Sequence, residues 1–309
     1  MDVLSDQLAQ ARARGAVFSV LRRTAPWGLG FEGRRPLTVH VLLNGSGRLL
    51  QEGAAPIGLR AYDVVLVRGG APYVIVSEAG APAEPIADAR RRGSDPGSAD
   101  ATVLCGAYTL EGTVGRALLR ELPRCVVVPR ERQDGDQAAA VGLLAAAAGR
   151  DDPGQQAMLD RLLDVNLVST LRAAWSASDD PAPGWYRALG DGVLRPVLER
   201  LHADPSRSWT VEELAGIAGL SRAAFAARFT AAVGRSPFRY LTELRMQRAE
   251  DLLVRTDLPL ARIATQVGYT NEYAFATAFK RRSGVAPGRW RDEAHVDPDP
   301  HPVPDDHEP

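Results

Sequence analysis

The hydrophobic pattern changes character part-way along the chain. From about residue 15 to 130 the apolar residues come in short runs bounded by turn formers: 37–43, 48–51, 62–67, 73–77, 102–108 and 125–128. Runs of this length and spacing predict a β-sandwich or barrel. Asn44-Gly45, directly after the first run, is a two-residue hairpin signal. Residues 79–100 are rich in Ala, Pro, Asp, Gly and Arg without periodicity and are expected to be a loop. From Gln137 the pattern is helical. Asp151-Asp152-Pro153 makes a good helix entry, with acidic residues at the positive end of the dipole. In the following helix, 153–175, Met158, Leu159, Leu162, Leu163, Val165, Leu167, Val168 and Leu171 cover more than one stripe. Such breadth predicts burial against its own domain and against a second subunit, that is, a homodimer. Ser176 to Gly184 reads as a linker.

Beyond the linker, helical segments follow one another with regular punctuation. A first helix is expected over about 191–202. Thr210-Val-Glu-Glu213 is a capping box, in which the Thr hydroxyl accepts from a backbone N–H and Glu213 reaches back. It opens a helix over 211–218, followed by the turn Gly219-Leu220 and by Ser221 as cap of a second helix, 222–233. The arrangement recurs after a long helix, 237–255. Pro259 to Val267 is a short helix, Gly268-Tyr269-Thr270 a turn, and Asn271 the cap of a helix over 272–283. Ser221, Phe225 and Phe229 have the spacing of Asn271, Phe275 and Phe279. Two short helices joined by a tight glycine turn are a helix-turn-helix, present here twice. The phenylalanines face the core, which leaves Arg222, Ala223, Ala226 and Ala227 on the outer face of the first unit's second helix.

Composition adds little until it is divided along the chain. The whole has a net charge of −1, but residues 190–292 carry 16 Lys and Arg against 11 Asp and Glu, and the tail from Glu293 carries six acidic and no basic residues. The basic excess sits where phosphate contact would need it. No apolar run reaches the ~20 residues of a membrane helix, and the N-terminus lacks the order of a signal peptide, so a cytoplasmic protein is expected. The two cysteines, Cys105 and Cys125, exclude a disulfide scaffold.

The C-terminal hundred residues resemble the DNA-binding domain of the AraC/XylS family. The resemblance rests on Leu214-Ala215, Gly219-Leu220-Ser221, Phe225, Phe229, Gly234, Pro237, Tyr240-Leu241 and Arg245. It continues through Ile263-Ala264, Val267-Gly268-Tyr269, Phe275, Phe279-Lys280, Gly284, Pro287 and Trp290-Arg291, with Trp290 where the family usually has Tyr. It implies base-facing roles for Arg222, Ala223, Ala226 and Ala227, then Glu272, Tyr273, Ala276 and Thr277. Arg228 would reach bases or phosphates, and Arg239, Arg245, Lys280, Arg281 and Arg282 phosphates. Alanines offer only contacts to thymine methyls, so the first unit is expected to read sequence weakly.

The strand-rich half resembles the cupin-type sensor domain of one branch of that family, through Arg14-Gly-Ala-Val-Phe18, Ala25-Pro-Trp-Gly28, His40 to Gly45, Asp63 to Gly69 and Leu104-Cys-Gly106. A cupin metal site needs a His-x-His unit, a Glu and a later His. Here only His40 is present, and Tyr73 stands at a position where the branch has His, so no metal and no cofactor is expected. His40, Tyr73, Trp27 and Cys105 become effector or sensor candidates, Cys105 either as an oxidant-sensing thiol or as a small buried strand residue.

The expected architecture is a two-domain α+β chain. Residues 1–178 form a cupin-like barrel or sandwich with C-terminal helices. A linker, 179–189, leads to an all-α domain, 190–292, of two helix-turn-helix units joined by a long helix; 293–309 is a disordered acidic tail. The implied function is sequence-specific regulation of transcription, not catalysis. Its partners would be duplex DNA, a small-molecule or oxidant effector, and RNA polymerase. The alternative is a metal-dependent cupin enzyme carrying a DNA-binding domain.

Overall fold

The computed structural model describes residues 2–10, 14–110, 112–147, 150, 152–177 and 182–296. A short helix α1 (Val3–Gln10) precedes the strands β1 (Arg14–Arg23), β2 (Gly28–Phe31), β3 (Leu37–Asn44), β4 (Ser46–Gln51), β5 (Ile57–Arg60), β6 (Val64–Arg68), β7 (Tyr73–Val76) and β8 (Glu84–Pro85). Then come α2 (Ile86–Arg92), β9 (Ala101–Thr109), α3 (Gly112–Glu121), β10 (Cys125–Val128), α4 (Gly135–Ala147) and α5 (Gln155–Ala177). The remainder is helical: α6 (Gly184–Leu189), α7 (Arg195–Ala203), α8 (Val211–Ile217), α9 (Arg222–Val233), α10 (Pro237–Arg255), α11 (Leu260–Gln266), α12 (Glu272–Ser283) and α13 (Pro287–Val296). The chain divides into two compact units, one from residue 11 to 182 except for a few residues at the start of α3, the other combining residues 1–10 with the helices from 183 onward.

Among the described residues the first unit holds two five-stranded sheets, ordered β1-β9-β3-β6-β10 and β5-β4-β7-β2-β8. Their inner faces share one core: Leu42, Val65, Val67, Val103 and Cys105 from the first sheet meet Leu29, Phe31, Leu49, Leu59, Tyr73 and Ile75 from the second, with Trp27 just ahead of β2. The outer face of the first sheet is also covered. Tyr108 on β9 donates its hydroxyl to the Leu163 carbonyl of α5 at 2.8 Å. Burial on both sides explains why β3 and β6 are apolar runs without alternation.

Four expectations change here. Asn44-Gly45 does not close a hairpin, because β3 pairs with β6 and β9 while β4 pairs with β5 and β7. Gly45 (φ 82°) is a corner at which the chain crosses between sheets, and a Cβ there would strike the Asp100 carbonyl oxygen. The expected loop over 79–100 contains β8 and α2. It is organised by the buried Arg23 guanidinium, which donates to the carbonyls of Gly93 (2.7 Å) and Ala89 (3.1 Å), and by Arg92, which pairs with Glu84 and Asp95. The expected linker ends early. Residues 184–189 form α6, which buries Trp185 and Ala188 and packs on α9; residues 179–181 lie outside the described residues. Helix α13 runs on to Val296, past the expected start of the tail, and 297–309 also lie outside the described residues.

In the second unit α1 joins the helices through a buried polar chain: Asp6 Oδ2 lies 2.6 Å from His202 Nδ1, and His202 Nε2 lies 2.7 Å from the Tyr240 hydroxyl. Helix α10 runs between two helix pairs, α8–α9 and α11–α12. The second pair encloses its own core of Met246, Ala249, Leu253, Ile263, Ala264, Val267, Phe275 and Phe279.

Candidate nucleic-acid interface and barrel interior

Each helix pair is built by local chemistry. The capping box forms as expected, with Glu213 N donating to Thr210 Oγ1 at 3.2 Å and Thr210 N donating to Glu213 Oε2 at 2.9 Å. Helices α9 and α12 start on equivalent caps: Ala224 N donates to Ser221 Oγ (3.3 Å) and Ala274 N to Asn271 Oδ1 (2.8 Å). Under α9 the Phe225 and Phe229 rings are 5.7 Å apart, and under α12 the Phe275 and Phe279 rings are also 5.7 Å apart. With both phenylalanines of each helix buried, the opposite face is turned to solvent. Arg222, Ala223, Ala227 and Arg228 are exposed on α9, and Glu272, Tyr273, Thr277, Lys280 and Arg281 on α12. Tyr273 is the extreme, with 86% of its surface accessible. Ala226 and Ala276, expected on the outer face, are half-buried at its edge.

The basic side chains are less free than their sequence positions suggest. Arg222 pairs with Glu212 of α8. Arg228 forks onto Asp191 by two bonds, Nε–Oδ2 3.0 Å and Nη2–Oδ1 3.1 Å, and the same arginine with two backbone N–H groups holds the Asp191 carboxyl below its usual range against the cost of burying it. Arg239 pairs with Glu243 within α10, and Arg282 lies 3.7 Å from the buried Glu250. Arg245, expected to meet a phosphate, turns inward and donates to three main-chain carbonyls, which removes it from the set of free surface cations. Sequence reasoning missed Asp191 and Glu212 as partners. Glu212 lies ten residues from Arg222, a separation with no local periodic signature.

The exposed Arg222–Glu212 pair carries a prediction. A duplex meeting the outer face of α9 would have to compete with Glu212 for Arg222, and an exposed pair of this kind is only weakly held. Glu212→Gln is therefore expected to raise affinity for duplex DNA by about 1.5- to 5-fold at low salt. Fluorescence anisotropy titration would measure it, and unchanged or weaker binding would refute the competition.

In the first unit the sensor candidates converge inside the sheets. Thr38 Oγ1 donates to the Val67 carbonyl (3.2 Å) and lies 2.8 Å from the Tyr73 hydroxyl, which in turn lies 2.8 Å from His40 Nε2. The Val67 carbonyl can only accept. The chain therefore runs one way, with Tyr73 donating to Thr38 and the His40 Nε2–H donating to Tyr73. His40 Nδ1 is then a bare lone pair, buried without a partner. The Phe31 ring stacks on Tyr73 at 4.7 Å and tilts against His40 at 4.5 Å. Burial, with a smaller contribution from the positive charge of Arg90, pushes the imidazole down to about 3. Burial also raises the Tyr73 hydroxyl well above its ordinary value. Trp27 is buried in the same core. Cys105 sits opposite His40 in the β3–β9 register, and burial pushes its thiol up to about 12.

The donor set does not suit a cupin metal. His40 Nε2 is engaged by Tyr73, its same-face neighbours on β3 are Thr38 and Leu42, and among the described residues no three His, Cys, Asp or Glu side chains gather to hold an ion.

Comparison with known proteins agrees with both halves. A cupin family model matches residues 2–176, and a helix-turn-helix domain model matches residues 214–293. The chain is 31% identical over 298 residues to a putative AraC-like transcription regulator of Streptomyces lividans, covering 94% of this chain and 98% of that protein. The corresponding regulator of Streptomyces antibioticus is 30% identical with the same coverage. The HTH-type transcriptional regulator AlkR of Acinetobacter baylyi is 27% identical, over 95% of this chain and all of its own length. With a cupin-type domain ahead of a paired helix-turn-helix domain, the chain belongs to the AraC family of transcription regulators.

Proposed function

We propose that the chain reads duplex DNA through the outer faces of α9 and α12, and that a small molecule held between the two sheets of the first unit governs that reading. The observation that carries the first part is the repeated, solvent-facing helix surface, capped at its N-terminus and seated on a phenylalanine pair. Two such surfaces in one chain suit two successive major-groove segments, ~34 Å apart. The second part is supported by the unpartnered Nδ1 of His40 at the end of the Thr38–Tyr73–His40 chain, since a buried polar atom without a partner is costly and a ligand donor would satisfy it. An oxidant is the weaker candidate effector. The thiolate is the reactive species, and burial that pushes the Cys105 thiol up to about 12 disfavours it.

The reading includes a homodimer through α5, supported by Met158 and Val165, two large apolar side chains that remain exposed on its outer face while Leu159, Leu163, Leu167 and Leu171 are buried. RNA polymerase joins as a partner where the output is activation. No described helix is long and apolar enough to cross a membrane. A DNA reader works where the chromosome lies, which in a bacterium is the cytoplasm. Regulation is the corresponding reading of the first unit, supported by relatives that carry the names of transcription regulators.

The test uses both helices at once. The double variant Arg222→Ala/Lys280→Ala is expected to lose about ten- to a hundredfold in affinity for DNA fragments selected by the wild-type protein, with a shallower salt dependence. Lys280 is the only lysine in the chain, so bound DNA should also protect it from an amine-reactive label. Undiminished affinity in the double variant, together with a Lys280 that DNA leaves unprotected in the wild type, would refute the assignment of these faces.

A further inference from the structure

Arg245 lies at the middle of α10, where three parts of the second unit meet. Its Nε donates to the Pro205 carbonyl at 2.7 Å, and its Nη2 to the carbonyls of Arg207 at 2.8 Å and Ser206 at 3.4 Å. That segment leads into α8 and is itself braced. Asp204 accepts from Ser206 Oγ and Arg207 N, Trp209 Nε1 donates to the Asp204 carbonyl, and the Arg207 guanidinium lies 4.4 Å over the Trp209 ring. From the other side comes the turn between α11 and α12. A Cβ on Gly268 (φ 82°) would strike the Ser206 carbonyl oxygen and lie 2.9 Å from Arg245 Cζ. Backbone of the second helix pair thus rests directly against backbone of the first, with the guanidinium wedged at the junction. A fork of fixed N–H donors can span several carbonyls in one geometry, which a lysine ammonium cannot do.

We propose that Arg245 is a positioning residue for DNA recognition: it clamps the entry to α8 against the Gly268 turn and so fixes the spacing and rotation at which α9 and α12 meet successive grooves. The proposal rests on α9 and α12 being the DNA-facing helices. Two reading heads on one chain gain affinity from simultaneous engagement only when their separation matches that of the half-sites, so a loosened junction lowers the effective concentration of the second head.

The experiment selects duplexes from a randomised pool with wild-type protein. Affinities are then measured for the selected bipartite site, for the same site with the spacer changed by one or two base pairs, and for duplexes keeping one half-site. Arg245→Met and Arg245→Lys are both expected to lose about tenfold on the bipartite site, to bind the altered spacers within about threefold of it, and to bind single half-sites as the wild type does. A spacer profile unchanged from wild type overturns the clamp. A loss shared by single half-sites and restored by lysine also overturns it, because that is the behaviour of a phosphate contact. A loss on single half-sites in both variants overturns it too, since Arg245 would then support the fold of one pair instead of the junction. If the wild type selects no bipartite site, the two-helix reading itself fails, and that outcome is visible before any variant is made.

Discussion

Phe279→Ala is expected to destabilise the second helix-turn-helix pair by about 3–5 kcal/mol, the range for removing a large aromatic side chain from a core. The upper part of that range applies for structural reasons. Phe279 is 1% exposed, its ring lies 5.7 Å from Phe275 and 5.8 Å from Trp290, and the cluster it belongs to is small, with eight buried members among the described residues. Its neighbours are held by helices on three sides, so the cavity cannot close by a shift of one side chain. The loss is comparable to the whole stability of a small domain. Denaturant titration of the full chain should therefore show an early transition absent from wild type. On the proposed reading, the same variant should lose recognition of the half-site assigned to α12 while keeping that assigned to α9. A single transition displaced by less than ~1.5 kcal/mol would mean that the pair has more support than this core provides.

How much was legible in the sequence depended on how local the determining chemistry was. The helix-turn-helix units were readable nearly to the residue, because Thr210 with Glu213, Ser221 and Asn271 announce helix starts within three or four residues of the groups they cap. Strand positions were readable as apolar runs, but their partners were not. Asn44-Gly45 has the composition of a hairpin and serves as a crossing between sheets, since what lies opposite β3 is β9, some sixty residues on. The segment 79–100 read as a loop because its order comes from Arg23, whose burial no neighbouring residue foretells. The candidate site divides the same way. Outward positions on α9 and α12 follow from helical periodicity, whereas the inward turn of Arg245 depends on carbonyls some forty residues away. In the barrel, His40 and Tyr73 were identified as isolated candidates. That they bond to each other, with Thr38 and Phe31 completing the group, is a matter of sheet register and stacking.

The wild-type first unit is expected to lose stability as pH falls from about 6.5 toward 3, and His40→Gln to remove most of that loss. In the unfolded chain the imidazole takes up its proton near 6.5, whereas in the folded barrel it does so only at about 3, because the ring is buried among apolar side chains and faces the positive charge of Arg90. Between those values the unfolded state binds a proton that the folded state does not, so lowering pH favours unfolding. At about pH 4 the contribution from this one group is on the order of 3 kcal/mol relative to neutral pH. Glutamine keeps an N–H that can donate to the Tyr73 hydroxyl and does not titrate, so the variant should pay little at pH 7 and diverge from wild type only on the acid side. Urea titrations of both proteins at pH 7, 5.5 and 4.5 would show the gap opening in favour of the variant as the pH drops. Parallel curves would mean that the folded imidazole accepts a proton in this range, and hence that solvent or a counter-charge reaches the barrel interior. The same burial is also what suits the unpartnered lone pair on Nδ1 to an uncharged donor: a charged ligand would face the same desolvation that keeps His40 itself neutral.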